Sequence, residues 1–382
     1  MRHKLLQIWW AFTRLGLTSF GGPTAHIGYF HHEFVTRRGW LSSDDFAQDN
    51  ALCQLVPGPA SSQLGMLIGA RQAGVWGSLM AWLGFTTPSA LIMLLVMRGS
   101  PWLEQQGGLI HGLLLGAACV VAHAVWSMAR TFCKTTPNQL IAAMTLGILV
   151  TWNTPWMQMA CLAGAAICGV LIHRQHTATI PPRSPILTRR QGSLFLGFFG
   201  GLVLISTFIQ HPLSILFQSG ALVFGGGHVV LPLLQQRLVT NGLMNSTQIL
   251  SGYAAAQLLP GPLFAIGAYV GGVAGAYSWL QGILGTMAIF LPGWLLIMGI
   301  MPWWHQIQQH VWVQRALLGV QAAVVGVLAA TLWDPILTHA IANGIDIAIW
   351  IIGTTALIRF KSPAWIVTVL CAFVGFIAMR YL

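Results

Sequence analysis

Gln54-Leu55-Val56-Pro57-Gly58-Pro59 lies in strongly apolar surroundings, yet no helix can run through it. Pro57 and Pro59 each remove an amide donor, and Gly58 is free to take backbone angles that other residues avoid. Roughly two hundred residues later the chain writes the same element as Gln257-Leu258-Leu259-Pro260-Gly261-Pro262. A helix breaker that occurs twice inside membrane-grade sequence is the feature around which the rest is read.

The 382 residues are 55% hydrophobic and only 7% charged. An ordinary soluble domain is about 25% charged, so the composition places the chain among polytopic membrane proteins. Seventeen Trp and forty-three Gly agree with aromatic belts and close helix contacts. The formal charge of +11 does not indicate nucleic-acid binding, because the basic residues sit in short connectors between apolar runs. No cleavable secretory signal is expected, since Met1-Arg2-His3-Lys4 leads into an amphipathic segment carrying Arg14. Six scattered Cys show neither metal spacing nor a disulfide framework and read as buried small residues.

Residues 2–19 are helix-compatible but too charged for a simple span, and Phe20-Gly21-Gly22-Pro23-Thr24-Ala25-His26 is a further break. Residues 27–38 are amphipathic and end in Arg37 and Arg38. Ser42-Ser43-Asp44-Asp45 marks a helix start, with hydroxyls to cap and carboxylates in the first turn. That helix is predicted to run to Val56, and another from Ser61 and Ser62 to about Arg71. Each piece is shorter than the ~20 residues needed to span a bilayer. They read as two re-entrant hairpins with tips at Gly21-Gly22 and at Gly58. Four spans follow at about 75–97, 109–131, 138–152 and 155–173, then the polar basic stretch His173 to Arg190, then an apolar run at 192–209.

The first half then recurs. Gly220 to His228, containing Phe224-Gly225-Gly226-Gly227-His228, echoes Gly16 to His26. Gly242 answers Gly39, Pro292 answers Pro88, and Leu317-Leu318-Gly319 answers Leu114-Leu115-Gly116. Apart from the His26–His228 pair, which is one residue out, the offset stays between 203 and 208, the largest being that of Ser362-Pro363 against Thr154-Pro155. This marks two tandem halves rather than a solenoid. The expected division is a first repeat at 1–173, a cytoplasmic basic linker at 174–191, a connecting transmembrane helix at 192–210 and a second, inverted repeat at 211–382. Second-half spans are expected at about 279–301, 312–333, 340–358 and 363–380. With the first hairpins open to the cytoplasm, fifteen of the eighteen Lys and Arg lie inside and only Arg98, Arg237 and Arg380 outside. The positive-inside rule therefore favours two halves of opposite orientation with the N-terminus cytoplasmic. The fold class is all-α, polytopic, with two inverted-topology repeats, each of two re-entrant hairpins and about four transmembrane helices. Inverted repeats with broken helices near the midplane are the arrangement of a secondary transporter.

Each break is followed by the start of a short helix, where unpaired amides and a partial positive charge make an anion site without any basic side chain. The candidate binding residues are Phe20, Gly21, Gly22, Pro23, Thr24, His26, Gln54, Pro57, Gly58, Pro59, Ser61 and Ser62. In the second half they are Phe224, Gly225, Gly226, Gly227, His228, Gln257, Pro260, Gly261 and Pro262. The glycines would let a ligand approach backbone amides, and Ser61, Ser62 and Thr24 would add hydroxyls. The competing reading is that Gly and Pro here serve only kinks and close contact. His26 and His228 are candidate ligand donors or proton relays, against an imidazole simply bonded in a packed interior. Gln54 and Gln257 would orient the tips or the ligand. Asp44, Asp45 and Asp49, all in the first half, are candidates for coupling or gating, as is Arg71, which equally fits a cytoplasmic anchor. Helix starting suffices for Asp44 and Asp45. No nucleophile elbow, Walker loop, HExxH or Cys/His metal spacing occurs, so neither an enzyme nor a cofactor is expected. Without an ATP site, transport would draw on an ion gradient or the membrane potential.

Ser19-Phe20-Gly21-Gly22-Pro23 with His26, Gly39-Trp40, Pro57-Gly58-Pro59, Phe224 to His228 and Pro260-Gly261-Pro262 together resemble the chromate ion transporter family in its two-domain long form. The resemblance covers nearly the whole chain. It implies a multi-pass protein of the bacterial inner membrane that exports chromate and confers chromate resistance, with two homologous halves of opposite orientation. Sulfate has the same shape and charge, so the partners expected are chromate or a sulfate-like oxyanion and the lipid bilayer. No nucleic acid is expected, and a homodimer is left open. The alternatives are a sulfate or other small-anion transporter and a passive anion channel.

Overall fold

The computed structural model describes residues 2–20, 22–104, 107–152, 154–172, 186–223 and 230–381. Among these, every regular element is helical.

Helix α1 (Arg2–Thr18) closes with the Ser19 amide on the Leu15 carbonyl, 2.8 Å. After the break, α2 (Gly22–Phe30) continues without interruption as a wider π-turn over His31–Arg37. Helix α3 (Ser43–Leu55) starts where Ser42 caps it, its hydroxyl accepting from the Asp45 amide at 3.1 Å. Across the Pro-Gly-Pro tip, α4 (Ala60–Glu104) begins. Its regular angles fail at Ala73 (φ −149) and Gly74 (φ 61), so it is a short arm and a long one, as the sequence predicts. The long arm overruns its expected end at residue 97, because Gly99 and Ser100 extend a helix already begun, the Ser100 hydroxyl donating to Met97 O at 2.9 Å.

Next come α5 (Gly107–Phe132), α6 (Thr136–Thr151), α7 (Pro155–Ile172) and α8 (Arg189–Phe208). Thr188 and Gln191 form a capping box, which starts α8 a few residues before the apolar run itself. The second half continues with α9 (Pro212–Leu222), α10 (Val230–Thr240) and α11 (Ser246–Leu258), the last capped by Asn245 with Gln248. A single 3₁₀ turn over Leu263–Ala265 leads into α12 (Ile266–Ala274), and Ser278 caps α13 (Trp279–Ile300). The chain ends with α14 (Trp304–Gln309), α15 (Val311–Thr331), α16 (Thr338–Ala340), α17 (Gly344–Arg359) and α18 (Ala364–Tyr381). Helix α17 starts at 344 rather than 340, because Asn343 and Asp346 make a capping box there.

The halves are interleaved. Helix α5 of the first half lies against α17 and α18 of the second, while α15 of the second lies against α6 and α7 of the first. Small residues permit both approaches. A β-carbon on Gly116 would come within 2.8 Å of the Thr368 backbone, and one on Gly319 would collide with the Ala165 carbonyl. Within each half, α1 lies on α4 and α9 lies on α13. Gly16 and Gly220 sit at those two contacts, against the Phe85 and Ile289 carbonyls.

Five helices among the described residues are long and apolar enough to cross a membrane: Ala60–Pro101, Gly107–Phe132, Arg189–Phe208, Trp279–Trp303 and Val311–Ala340. Helix α8 is the least covered, with Leu194, Phe198, Leu204 and Phe208 all exposed. Such a face suits hydrocarbon rather than water.

Candidate functional site

The two Pro-Gly-Pro tips are buried at Gly58 and Gly261, both with positive φ, 135° and 92° respectively. Side chains rarely adopt those angles, so glycine is required at each. At Gly58 space is also lacking, since a β-carbon would meet the Gly293 Cα at 2.9 Å. Each tip is fastened to the other half of the chain. The Gly58 amide donates to Val223 O at 2.7 Å, just ahead of the second-half glycine run. The Gly261 amide donates to Ser19 O at 2.9 Å, just ahead of the first-half glycine run. The neighbours match as well. Gly58 abuts Gly293, which follows Pro292, and Gly261 abuts Ser89, which follows Pro88.

His26, 1% exposed, ties these points together. Its Nε2 lies 3.2 Å from Ser19 O and its Nδ1 lies 3.2 Å from Ser61 Oγ. A carbonyl only accepts, so Nε2 carries the proton, and in the neutral ring the Ser61 hydroxyl then donates to Nδ1. Ser19 O thus receives both the imidazole and the second tip, while Ser61 stands in the opening turn of the helix after the first tip. The ring meets Phe85 edge-on, with centroids 5.2 Å apart.

Ser61, Ser62 and Gln63 are all buried in that opening turn. The first helical bond of α4 runs from Gln63 N to Pro59 O at 2.9 Å. The amides of Ala60, Ser61 and Ser62 therefore precede the helical ladder and carry its partial positive charge. The Gln63 Nε2 donates to Pro57 O at 3.0 Å and to Gly293 O at 3.1 Å, clamping the tip to α13. Gln63 Oε1, Ser62 Oγ, Ser19 Oγ and Thr86 Oγ1 are buried with no hydrogen-bond partner among the described residues. The region thus combines free amides, hydroxyls and a neutral imidazole. That set suits a small ligand rich in acceptors, held by dipoles.

Of the residues singled out from sequence, His26, Pro57, Gly58, Pro59, Ser61, Ser62, Gly261 and Pro262 come together here. Gln257 is buried in α11 and is hydrogen-bonded to the Tyr253 side chain one turn before it. Gly21 and Phe224, Gly225, Gly226, Gly227 and His228 lie outside the described residues, as do the side chains of Pro23, Thr24 and Gln54. Phe20 lies to one side, 6.0 Å from the Trp365 ring. The acids sit apart from the tips. Asp44 is exposed and Asp45 half-buried in the first turn of α3. Asp49, 1% exposed, receives both Nε and Nη2 of Arg71, joining α3 to the short arm of α4. Glu33 receives Arg37 at 2.9 Å and Arg38 at 2.6 Å.

Sequence reading passed over Gln63 and Ser89, and named Ser19 only within the motif that carries the family resemblance. Gln63 follows the serines immediately and has no counterpart in the repeat, so the pairing of the two halves does not single it out. Ser89 stands beside the repeated Pro88, a signal that was present.

These observations define a multi-pass, all-α membrane protein whose interior is built on two glycine-proline tips held by distant parts of the chain. The chromate transporter family matches residues 6–170 and again 212–376, and the chain belongs to that family. A probable chromate transport protein of Synechococcus elongatus is 25% identical over 395 residues, covering 98% of this chain and 96% of that protein. A chromate transport protein of Pseudomonas aeruginosa is 26% identical over 345 residues, covering 86% of this chain and 80% of that one. That of Cupriavidus metallidurans is also 26% identical over 345 residues, covering 85% and 81%. No solved structure matches the chain.

Proposed function

We propose that the protein is a secondary-type transporter that exports a tetrahedral oxyanion, chromate foremost, through a midplane site between the two Pro-Gly-Pro tips. The relatives named as chromate transport proteins support the substrate. The observation that carries the site is the reciprocal bonding of Gly58 to Val223 and of Gly261 to Ser19. On this reading residues 1–173 and 211–382 are halves of opposite orientation, joined by a cytoplasmic linker at 174–191 and a crossing helix at 192–210. The N-terminus is cytoplasmic and the membrane is the bacterial inner membrane.

The amides of Ala60, Ser61 and Ser62, with the Ser62 hydroxyl, would face the anion, while the His26 imidazole, both of its nitrogens engaged, would hold Ser61 in place beside it. The matching residues after Pro262 would face it from the other side. Dipoles rather than cations would hold it, so it binds strongly enough to enter and weakly enough to leave. The Asp49–Arg71 pair would act as a gate on the cytoplasmic face. Export downhill of the membrane potential releases ~4.6 kcal/mol per 100 mV for a divalent anion.

The test is chromate uptake into inverted vesicles from cells with and without the protein. Saturable uptake only where the protein is present is expected, and equal uptake sinks the reading. Competing sulfate decides selectivity. Collapsing the membrane potential and the pH gradient separately decides coupling. Uptake that never saturates would make it a channel.

A further inference from the structure

We propose a second oxyanion site, separate from the tips, at the junction of α8, α9 and α10, built on Arg237. Its ligand is a tetrahedral phosphate- or chromate-like group, which a free anion or a phospholipid headgroup could supply.

Arg237 is half-buried in the last turn of α10. Its Nη1 donates to Gln218 Oε1 on α9. Gln218 is in turn held from α8, its Nε2 donating to Ser206 O at 2.6 Å and approaching Ser206 Oγ at 3.3 Å. The Ser214 hydroxyl donates to the same Ser206 carbonyl at 2.6 Å. The guanidinium is therefore aimed by a chain of neutral groups, none of which balances its charge.

No carboxylate is at hand. The chain carries no Asp or Glu between Glu104 and Asp334, and Arg237 joins no ion pair among the described residues. The corresponding stretch of the first half does the opposite, since there a buried Glu33 takes up two arginines. A partly buried permanent cation without a counter-charge is costly unless an anion completes it. A guanidinium with most of its five donors unused forms a planar fork that matches two oxygens of a tetrahedral anion. Helix dipole and interfacial anchoring account for a cation at this end of α10. Neither accounts for a glutamine positioned to hold the guanidinium while leaving it uncompensated.

The test uses full-length protein in detergent, washed free of loosely held lipid. Binding of radiolabelled chromate is measured by equilibrium dialysis, and retention of phosphatidylglycerol by native mass spectrometry. The variants are Arg237→Gln, Arg237→Lys and Gln218→Glu. The last keeps the arginine but supplies an internal carboxylate, so it empties the site without removing a packed side chain. In at least one arm, Arg237→Gln and Gln218→Glu should weaken binding about tenfold, with Arg237→Lys intermediate. Loss in the chromate arm identifies a free anion, and loss in the lipid arm alone identifies a headgroup. If both substitutions leave chromate affinity and lipid retention at wild-type values, there is no such site. A protein that shows this dependence on Arg237 but carries no chromate into vesicles would overturn the transport reading alone.

Discussion

The Gly261 amide reaches the Ser19 carbonyl at 2.9 Å, so the tip of the second half closes on the break that opens the first. The same carbonyl accepts the His26 ring, whose other nitrogen holds Ser61 beside the first tip. One carbonyl oxygen therefore links both Pro-Gly-Pro tips through a single imidazole. Movement at either tip must disturb the other unless these bonds exchange.

Gly58→Ala and Gly261→Ala should each impair transport. Both glycines have positive φ, where a β-carbon costs about 1–2 kcal/mol. Gly58→Ala should be the more severe, because its β-carbon would also meet Gly293 at 2.9 Å, whereas at Gly261 the nearest atom is Ser89 Oγ at 3.1 Å. Chromate uptake is compared at equal inserted protein. Full uptake with only a lowered melting temperature would mean that the tips are scaffold.

Gln63→Leu should loosen the first tip from α13. It strands the Pro57 and Gly293 carbonyls in a dry interior, each unsatisfied group costing about 1–3 kcal/mol. A clear drop in detergent melting temperature is expected, together with slower chromate uptake. An unchanged melting temperature would show that neither bond matters to stability.

Breaking one side of the Asp49–Arg71 pair should cost more than removing both. Asp49 is 1% exposed, and an uncompensated buried charge costs about 3–5 kcal/mol. Asp49→Asn and Arg71→Leu are each expected to destabilise, and the double variant to recover part of the loss. A double-mutant cycle of thermal unfolding measures this coupling. Strictly additive effects would rule out an energetic pair.

Acid should weaken the basic segment around Glu33, outside the spanning helices. Burial pushes the Glu33 carboxyl up, but hydrogen bonds from Arg38 and Arg37 and the charges of both outweigh it and hold it below its ordinary value of 4.5. A carboxylate lowered on folding contributes stability that is present above its unfolded value and lost as pH falls through its folded one. Melting temperature should fall on acidification below pH 4.5, and Glu33→Gln should flatten that part of the profile. An identical slope in the variant would place the acid sensitivity elsewhere.

Much of the secondary structure was legible because its causes are local. Pro57-Gly58-Pro59 must break a helix wherever it sits, Ser42 with Asp45 must start one, and Ala73-Gly74 divides α4 near the predicted point. The less accurate boundaries have local causes too. The capping boxes at Thr188–Gln191 and Asn343–Asp346 start their helices at residues that hydropathy alone does not mark.

Sequence alone determined the membrane class, the helical breaks and the twofold repetition, since apolar run length, proline, glycine and spacing act through the nearest residues. Only tertiary structure decided what each break touches. It set Gly58 on Val223 and Gly261 on Ser19, put the Gln63 amide between Pro57 and Gly293, and laid α5 on α18 and α15 on α7. Those pairings join residues far apart in the chain, and a glycine that admits a neighbouring helix does not specify which helix it will be. The choice is made by shape and by the need to satisfy every buried backbone group, conditions met only when the whole chain is folded.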